Sequence, residues 1–235
     1  MLCFLFYMEV EIRQNERVEE LFLNGLKIIQ SKDLYRFTSD AVLLTKFASA
    51  KKNEIVADFC SGSGIVGLHF YALHPNIVKS VNLFELQAGL AEMSERTVQL
   101  NGLEQLFTVN NTPLQQIGKQ FDGAFSLILC NPPYEKQGAG EEKLNESDRL
   151  ARREIAITLE EIICIASVKL KFGGRLCMCH RADRLADLIF EMRKNGIEPK
   201  RICFAGAIGK LPYLVFIEGV KGGKPGLKFE PNFEN

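Results

Sequence analysis

An excess of either charge is missing from this chain. Its 29 Lys and Arg balance 29 Asp and Glu over 235 residues, so the whole-chain field singles out no acidic partner. Residues 1–130 carry 11 Lys and Arg against 14 Asp and Glu, and the remainder 18 against 15, which permits only a mild basic bias in the second part. Histidine is scarce. His69, His74 and His180 are the only three, none at ligand spacing, so no metal site is expected. Cys-x-x-Cys pairs are absent too. The seven cysteines (Cys3, Cys60, Cys130, Cys164, Cys177, Cys179, Cys203) are odd in number and mostly sit in apolar runs. They read as reduced, small core residues of a cytoplasmic protein rather than a disulfide framework. Long apolar runs are lacking. Residues 1–7, MLCFLFY, have no basic flank and no small-residue cleavage site, so neither a signal peptide nor a membrane span is expected, and Met8 is an alternative start. No internal repeat is present.

What is present suits one sizeable core: 46% hydrophobic and 25% charged residues. Residues 1–50 read as an N-terminal extension and 51–235 as the main domain. In the extension, Val18–Leu23, the turn pair Asn24-Gly25 and Leu26–Gln30 predict a hairpin, and Thr38-Ser39-Asp40 caps a helix over 41–48. Strands are then expected at 55–59, 81–84, 107–109, 124–130, 175–179, 201–204 and 213–218. Helices are expected at 65–73, 87–100, 157–170 and 185–194, with Gly173-Gly174 as the stop of the third. That alternation predicts an α/β fold: a doubly wound, mostly parallel, Rossmann-like sheet of seven strands. The last two strands have no helix between them, so one of them should be antiparallel. Residues 135–150 read as a functional loop. The tail from Lys221 should cover a sheet edge or fray.

Asn131-Pro132-Pro133-Tyr134 follows the apolar run Ala124–Cys130, which puts a rigid polar tetrapeptide at the carboxyl end of a buried strand. The Asn131 side-chain oxygen and the Pro132 carbonyl can each accept one hydrogen of a planar NH2 group. The two prolines restrict the backbone, so these acceptors are set before a substrate arrives. Tyr134 offers a face for ring stacking. The plainer reading is a Pro-Pro turn that merely ends the strand.

A second constellation spans Asp58 to Gly67, from the first main-domain strand into its helix. Gly62, Gly64 and Gly67 satisfy the dinucleotide pattern G-x-G-x-x-G, with Glu85 following at the next strand end. Asp58, however, sets a carboxylate where a pyrophosphate would be repelled. The same acid suits S-adenosylmethionine, which carries an ammonium and a sulfonium and no phosphate. Asp58 would hold the ammonium side and Glu85 the ribose hydroxyls, with Asn111 a candidate for the adenine edge. Against this stands a tight strand–helix turn with solvated acids.

At these residues the chain resembles the class I S-adenosylmethionine-dependent methyltransferases, and its N-P-P-Y resembles the members that methylate planar nitrogens. Further segments narrow the likeness: Gln30 with Leu34–Leu44, Ala151-Arg152-Arg153-Glu154 with Ile157–Glu160, Gly173-Gly174-Arg175, Arg181 to Leu185, and Lys221-Gly222-Gly223-Lys224. Over roughly residues 15–231 the chain resembles the bacterial family that methylates the adenine-37 amine of valine tRNA. The resemblance implies a tRNA substrate, Asn131, Pro132 and Tyr134 as catalytic residues, and Pro133, Arg152 and Arg153 as substrate contacts. Its cofactor turn usually has Gly two residues after the Asp, where this chain has Cys60. An acid often found after the third strand is replaced by Asn110-Asn111.

Other phosphate ligands to weigh are Arg149, Arg181, Arg184, Lys136 and Lys143, each otherwise a solvated cation. Phe37 and Asp40 could close over the cofactor, or be a core aromatic and a helix cap. His180 has no clear role. A monomer or weak homodimer is expected. Rival functions are a protein glutamine methyltransferase acting on peptide release factors, a nicotinamide-dependent oxidoreductase and a non-catalytic RNA-binding module.

Overall fold

The computed structural model describes residues 10–34, 39–133 and 157–234. Its order begins with β1 (Glu16–Glu20), β2 (Lys27–Ser31), α1 (Ser39–Phe47), β3 (Glu54–Phe59), α2 (Ile65–Leu73), β4 (Val78–Glu85), α3 (Ala88–Leu100), β5 (Phe107–Asn111) and β6 (Phe125–Cys130). Then come α4 (Leu159–Lys169), β7 (Leu170–Arg181), α5 (Leu185–Lys194), β8 (Ile197–Gly206), β9 (Leu214–Lys221), β10 (Lys228–Phe229) and β11 (Phe233–Glu234). The main sheet runs β10-β8-β9-β7-β6-β3-β4-β5, with β11 also on β8. From β5 to β7 every pairing is parallel, and β9 lies antiparallel between β7 and β8. This is the expected doubly wound, mostly parallel α/β sheet. The tail does cover an edge: β10 and β11 both pair with β8.

Two apolar layers flank the sheet. One joins Leu44 and Phe47 of α1 and Phe70 of α2 to Leu127, Leu129, Cys177 and Phe216; the other joins Ile163 of α4 and Leu188 of α5 to Phe59, Phe84, Ile128 and Met178. Residues alternate between layers along β6 because successive side chains of a strand point to opposite faces. Local chemistry sets several boundaries. Thr158 and Glu161 form a reciprocal capping box at the start of α4, with Glu161 N–H donating to Thr158 Oγ1 at 3.2 Å and Thr158 N–H to Glu161 Oε2 at 2.8 Å.

Some expectations need correction. The hairpin ladder is displaced from its expected bounds, pairing 16–20 with 27–31, since Phe22 takes φ 54° and the chain reverses over Leu23–Leu26 with Asn24 and Gly25 both left-handed. Gly173-Gly174 do not stop α4. They lie inside β7, in an irregularity where Leu170 pairs with Phe125 and Arg175 next pairs with Leu127. Cys164 is exposed on α4 rather than part of the core. Among the described residues no helix is long and apolar enough to cross a membrane.

The β1–β2 hairpin packs on α3, with Ile29 against Leu90 and Met93. Arg96 of α3 donates two 2.6 Å hydrogen bonds to Glu16 and a 2.7 Å bond to the Glu11 carbonyl, with both side chains of the ion pair largely buried. At the amino end of the sheet Arg175 pairs with Glu54 and Glu218, and its guanidinium also meets the Ser49 carbonyl. Arg175 is thereby structural.

Candidate functional site

The site gathers at the carboxyl ends of β3, β4 and β6, where open parallel sheets leave a crevice. Asp58, fully buried on β3, accepts a 2.8 Å hydrogen bond from Gly67 N–H through Oδ2, while its Oδ1 is buried with no partner among the described residues. Burial, with the Glu85 charge a smaller cause, pushes its carboxyl from 3.8 up to about 8, despite the Gly67 amide pulling the other way. In the free protein at neutral pH Asp58 therefore holds its proton. A cation beside it would reverse that.

After Phe59 the backbone enters the left-handed region at Cys60 (φ 57°), Gly62 (φ 56°) and Gly64 (φ 79°). Gly64 has a second constraint, since a Cβ there would sit 2.9 Å from Leu83 Cδ1. Gly67 acts differently. A Cβ would lie 2.6 Å from Leu83 Cδ2, so its absence lets α2 lie close on the sheet and bring its amide to Asp58. Cys60 has no such licence, and a left-handed L residue costs about 1–2 kcal/mol. That cost explains why glycine is usual at this position.

Glu85, at the end of β4, clasps the turn. Gly62 N–H donates to its Oε2 at 2.7 Å and Gln87 N–H to its Oε1 at 2.8 Å; burial still raises its pKa. Each carboxylate oxygen keeps lone-pair capacity for a hydroxyl. Asn111 lies beside it, but its amide donates to the Glu85 and Leu86 carbonyls at 2.9 and 3.0 Å, so its NH2 group holds the strand end and only Oδ1 is left to meet a ligand. Next to Glu85 is a hollow of about 330 Å³ lined by Phe84, Asn110, Asn111, Thr112, Ile117 and Phe121.

β6 is the neighbour of β3, with Asp58 paired to Leu129 and Phe59 to Cys130. Asn131 thus emerges level with Cys60, about one strand spacing of 4.8 Å away. It is half-buried, its Oδ1 is buried with no partner among the described residues, Pro132 is buried and Pro133 exposed. Ser61 Oγ is a third buried atom here without a partner among the described residues. Each such orphan costs about 1–3 kcal/mol, and three of them sit within one turn of the β3 and β6 ends. A cation, hydroxyls and an amine are what these groups lack.

The structure brings together Asp58, Gly62, Gly64, Glu85, Asn111, Asn131, Pro132 and Pro133. Tyr134, Arg149, Arg152, Arg153, Lys136, Lys143 and Phe37 lie outside the described residues. Asp40 is buried in the first turn of α1. Arg181 and Arg184 pair with Asp183 and Asp187, which cancels much of their field. His180 is buried, accepts from Arg181 N–H at 2.8 Å through Nδ1, and is pushed down to about 4, chiefly by burial, so it stays neutral. Sequence reasoning missed Ser61 and the wall formed by Ile117 and Phe121. The latter were visible, with Leu114, as apolar residues spaced three and four apart within the otherwise polar run 112–123.

A family model described as Methyltransferase small domain matches residues 37–188. The tRNA1(Val) (adenine(37)-N6)-methyltransferase of Porphyromonas gingivalis is 30% identical over 169 residues, covering 65% of this chain and 61% of that protein. Its namesake from Proteus mirabilis is 25% identical over 140 residues, covering 60% and 54%. The chain thus spans a little over half of these relatives' lengths. Among solved structures, a predicted O-methyltransferase from Agrobacterium tumefaciens aligns with TM-score 0.64 at 20% identity, over 83% of this chain and 88% of that one. TYW2 of M. jannaschii in complex with AdoMet aligns with TM-score 0.61 at 11% identity, over 88% and 86%. Both structural likenesses are of fold.

Proposed function

We infer that this chain, which belongs to the methyltransferase small domain family, methylates the exocyclic N6 amine of an adenine in tRNA, with adenine-37 of valine tRNA the first candidate. The observation that carries the choice of a planar amine is Asn131: a buried amide oxygen with no partner among the described residues, just past the end of β6 and level with the glycine turn. The names of the similar proteins support the choice of RNA.

S-adenosylmethionine is the cofactor, and when bound it supplies an electrophilic methyl group on a positively charged sulfur. The residues present fit it. The orphaned Asp58 Oδ1 and Ser61 Oγ suit its ammonium and carboxylate end, Glu85 its ribose hydroxyls, and the hollow beside Phe84 and Phe121 its purine. The left-handed turn at Gly62 and Gly64 keeps side chains from its path.

The chain's own work is on the amine. An adenine amine is a weak nucleophile because its lone pair is delocalised into the ring. Asn131 Oδ1 accepts one N–H and the Pro132 carbonyl the other, which raises electron density on nitrogen and stabilises positive charge as it develops. Prolines on both sides of that carbonyl hold the geometry beforehand. No general base is called for, because an alkylated adenine ammonium loses its proton to water. Tyr134 would stack on the extruded base, worth about 1–3 kcal/mol.

The test is transfer of labelled methyl from S-adenosylmethionine to a panel of unmodified tRNA transcripts, with release factor in parallel and nucleosides identified by mass. N6-methyladenosine in valine tRNA alone is the expected result. Label on release factor instead would move the substrate to a glutamine amide, a planar nitrogen that the same acceptors fit.

A further inference from the structure

Cys60 directly follows β3, and Cys130 ends the adjoining strand β6, at the floor of the site. Phe59 and Cys130 are paired across β3 and β6, so Cys60 is one residue out of register with Cys130. A strand spacing of about 4.8 Å and a rise of about 3.3 Å place the two Cα atoms roughly 6 Å apart, inside the range of about 4.4–6.8 Å that a disulfide spans. Direction matters as much as distance. Phe59 and Cys130 both face the layer that holds α4 and α5, and regular strand alternation would turn Cys60 to the opposite face. The left-handed φ of 57° at Cys60 breaks that alternation, and Cys60 packs against the same layer as Cys130. Burial raises the pKa of the Cys130 thiol, and the neighbouring Cys60 thiol is the next cause. Cys177, Cys179 and Cys203 face the other layer, and Cys164 is exposed on α4, so among the described cysteines Cys130 has Cys60 as its same-face neighbour.

We propose that Cys60 and Cys130 are a dithiol that closes to a disulfide on oxidation, tying the cofactor turn to the strand end that carries Asn131. The oxidant is a hydroperoxide. The half-exposed Cys60 sulfur attacks its outer oxygen; the O–O bond breaks, the other oxygen leaves as alcohol or water, and Cys60 becomes a sulfenic acid. The Cys130 sulfur then attacks the Cys60 sulfur, the S–O bond breaks, and hydroxide departs as water with the proton that Cys130 gives up. Two thiols are oxidised and one peroxide is reduced, so the step balances. Burial holds the Cys130 thiol well above its ordinary pKa and away from solvent, so the peroxide reacts first at the half-exposed Cys60. Reduction by a small thiol restores both.

Closure draws Cys60 from its left-handed turn toward β6 and shifts both Gly62 and the residue before Asn131. Misplacement of reacting groups by about 1 Å costs on the order of a hundredfold in rate. That functional half rests on the methyl-transfer reading, whereas the bond itself does not. The experiment treats the full chain with hydrogen peroxide and follows intact mass, disulfide-linked peptides, S-adenosylhomocysteine affinity and methyl transfer, each before and after dithiothreitol. The expected result is a mass lower by two hydrogen atoms, a Cys60–Cys130 linked peptide, roughly a hundredfold loss of transfer with weakened binding, and recovery on reduction. Cys60→Gly and Cys130→Ala should show neither the mass change nor the reversible loss. Oxidation of Cys60 beyond the sulfenic state without linkage, or linkage to a different cysteine, overturns the dithiol. Linkage with unchanged S-adenosylhomocysteine affinity overturns its control of the site, and a chain that methylates no RNA leaves the mass result readable.

Discussion

Asp58→Asn should make the free protein's stability depend less on pH, by an amount that the buried carboxyl dictates. The folded pKa is raised from 3.8 to about 8. Between those values the native chain holds one proton that the unfolded chain has lost, so the wild type loses stability as pH rises, at about 1.36 kcal/mol per pH unit. The penalty is absent below the unfolded value and complete above the folded one. From about pH 5 to about pH 7 it amounts to roughly 2–3 kcal/mol. Asparagine keeps the shape and can accept from Gly67 N–H, but carries no titration. Any cost of its buried NH2 is the same at both pH values and cancels. Urea unfolding of both proteins at the two pH values reads the difference directly: relative to wild type, the variant should gain those 2–3 kcal/mol on going from about pH 5 to about pH 7. Saturating S-adenosylhomocysteine, whose ammonium compensates the carboxylate, should stabilise the wild type far more than the variant. An unchanged difference between the two pH values would mean that Asp58 is ionised in the free protein, and the electrostatic case for a cationic ligand would fall.

Binding should also release protons. At about pH 7 S-adenosylhomocysteine should expel close to one proton from Asp58, seen in calorimetry as heats that differ between phosphate and Tris buffers, and the release should vanish in Asp58→Asn. Asn131→Ala should lower methyl transfer by roughly two orders of magnitude while cofactor affinity persists; comparable turnover would remove Asn131 from the chemistry. Arg96→Ala strands Glu16 against α3 and should cost about 3–5 kcal/mol by denaturant unfolding. An effect below about 0.5 kcal/mol would mean that the hairpin is not held by this pair.

Elements bracketed by strong local signals were legible, and their neighbours less so. The helices over 65–73 and 185–194 match their expected bounds, since Gly64 and His74-Pro75 frame one and Asn195-Gly196 ends the other. β8 was expected at 201–204 and runs from Ile197, because Pro199 reads as a break; it sits at the register irregularity between Pro199 and Arg201, where the missing N–H is tolerated. β7 was expected from 175 for a similar reason. Gly173-Gly174 carry the same letters whether they stop a helix or shape a strand, and only pairing with β6 decides.

The site divides along the same line. Asp58, Glu85 and Asn131 could be placed from sequence because each is polar, follows an apolar run and falls at a strand's carboxyl end, which needs no knowledge of strand order. What needed the fold is adjacency. β3 and β6 are neighbours in the sheet although two strands and two helices separate them in the chain. Hence neither the convergence of Asp58, Ser61 and Asn131 orphan atoms nor the facing of Cys60 and Cys130 could be read from spacing. Cys60 shows the limit most clearly. As a letter it is a departure from an expected glycine. In the fold, its left-handed backbone both exacts a conformational cost and swings its thiol onto the face of Cys130. A strained non-glycine residue that survives where glycine would be easier points to work done by its side chain, and the thiol before Asn131 lies on the same face for that sulfur to work on.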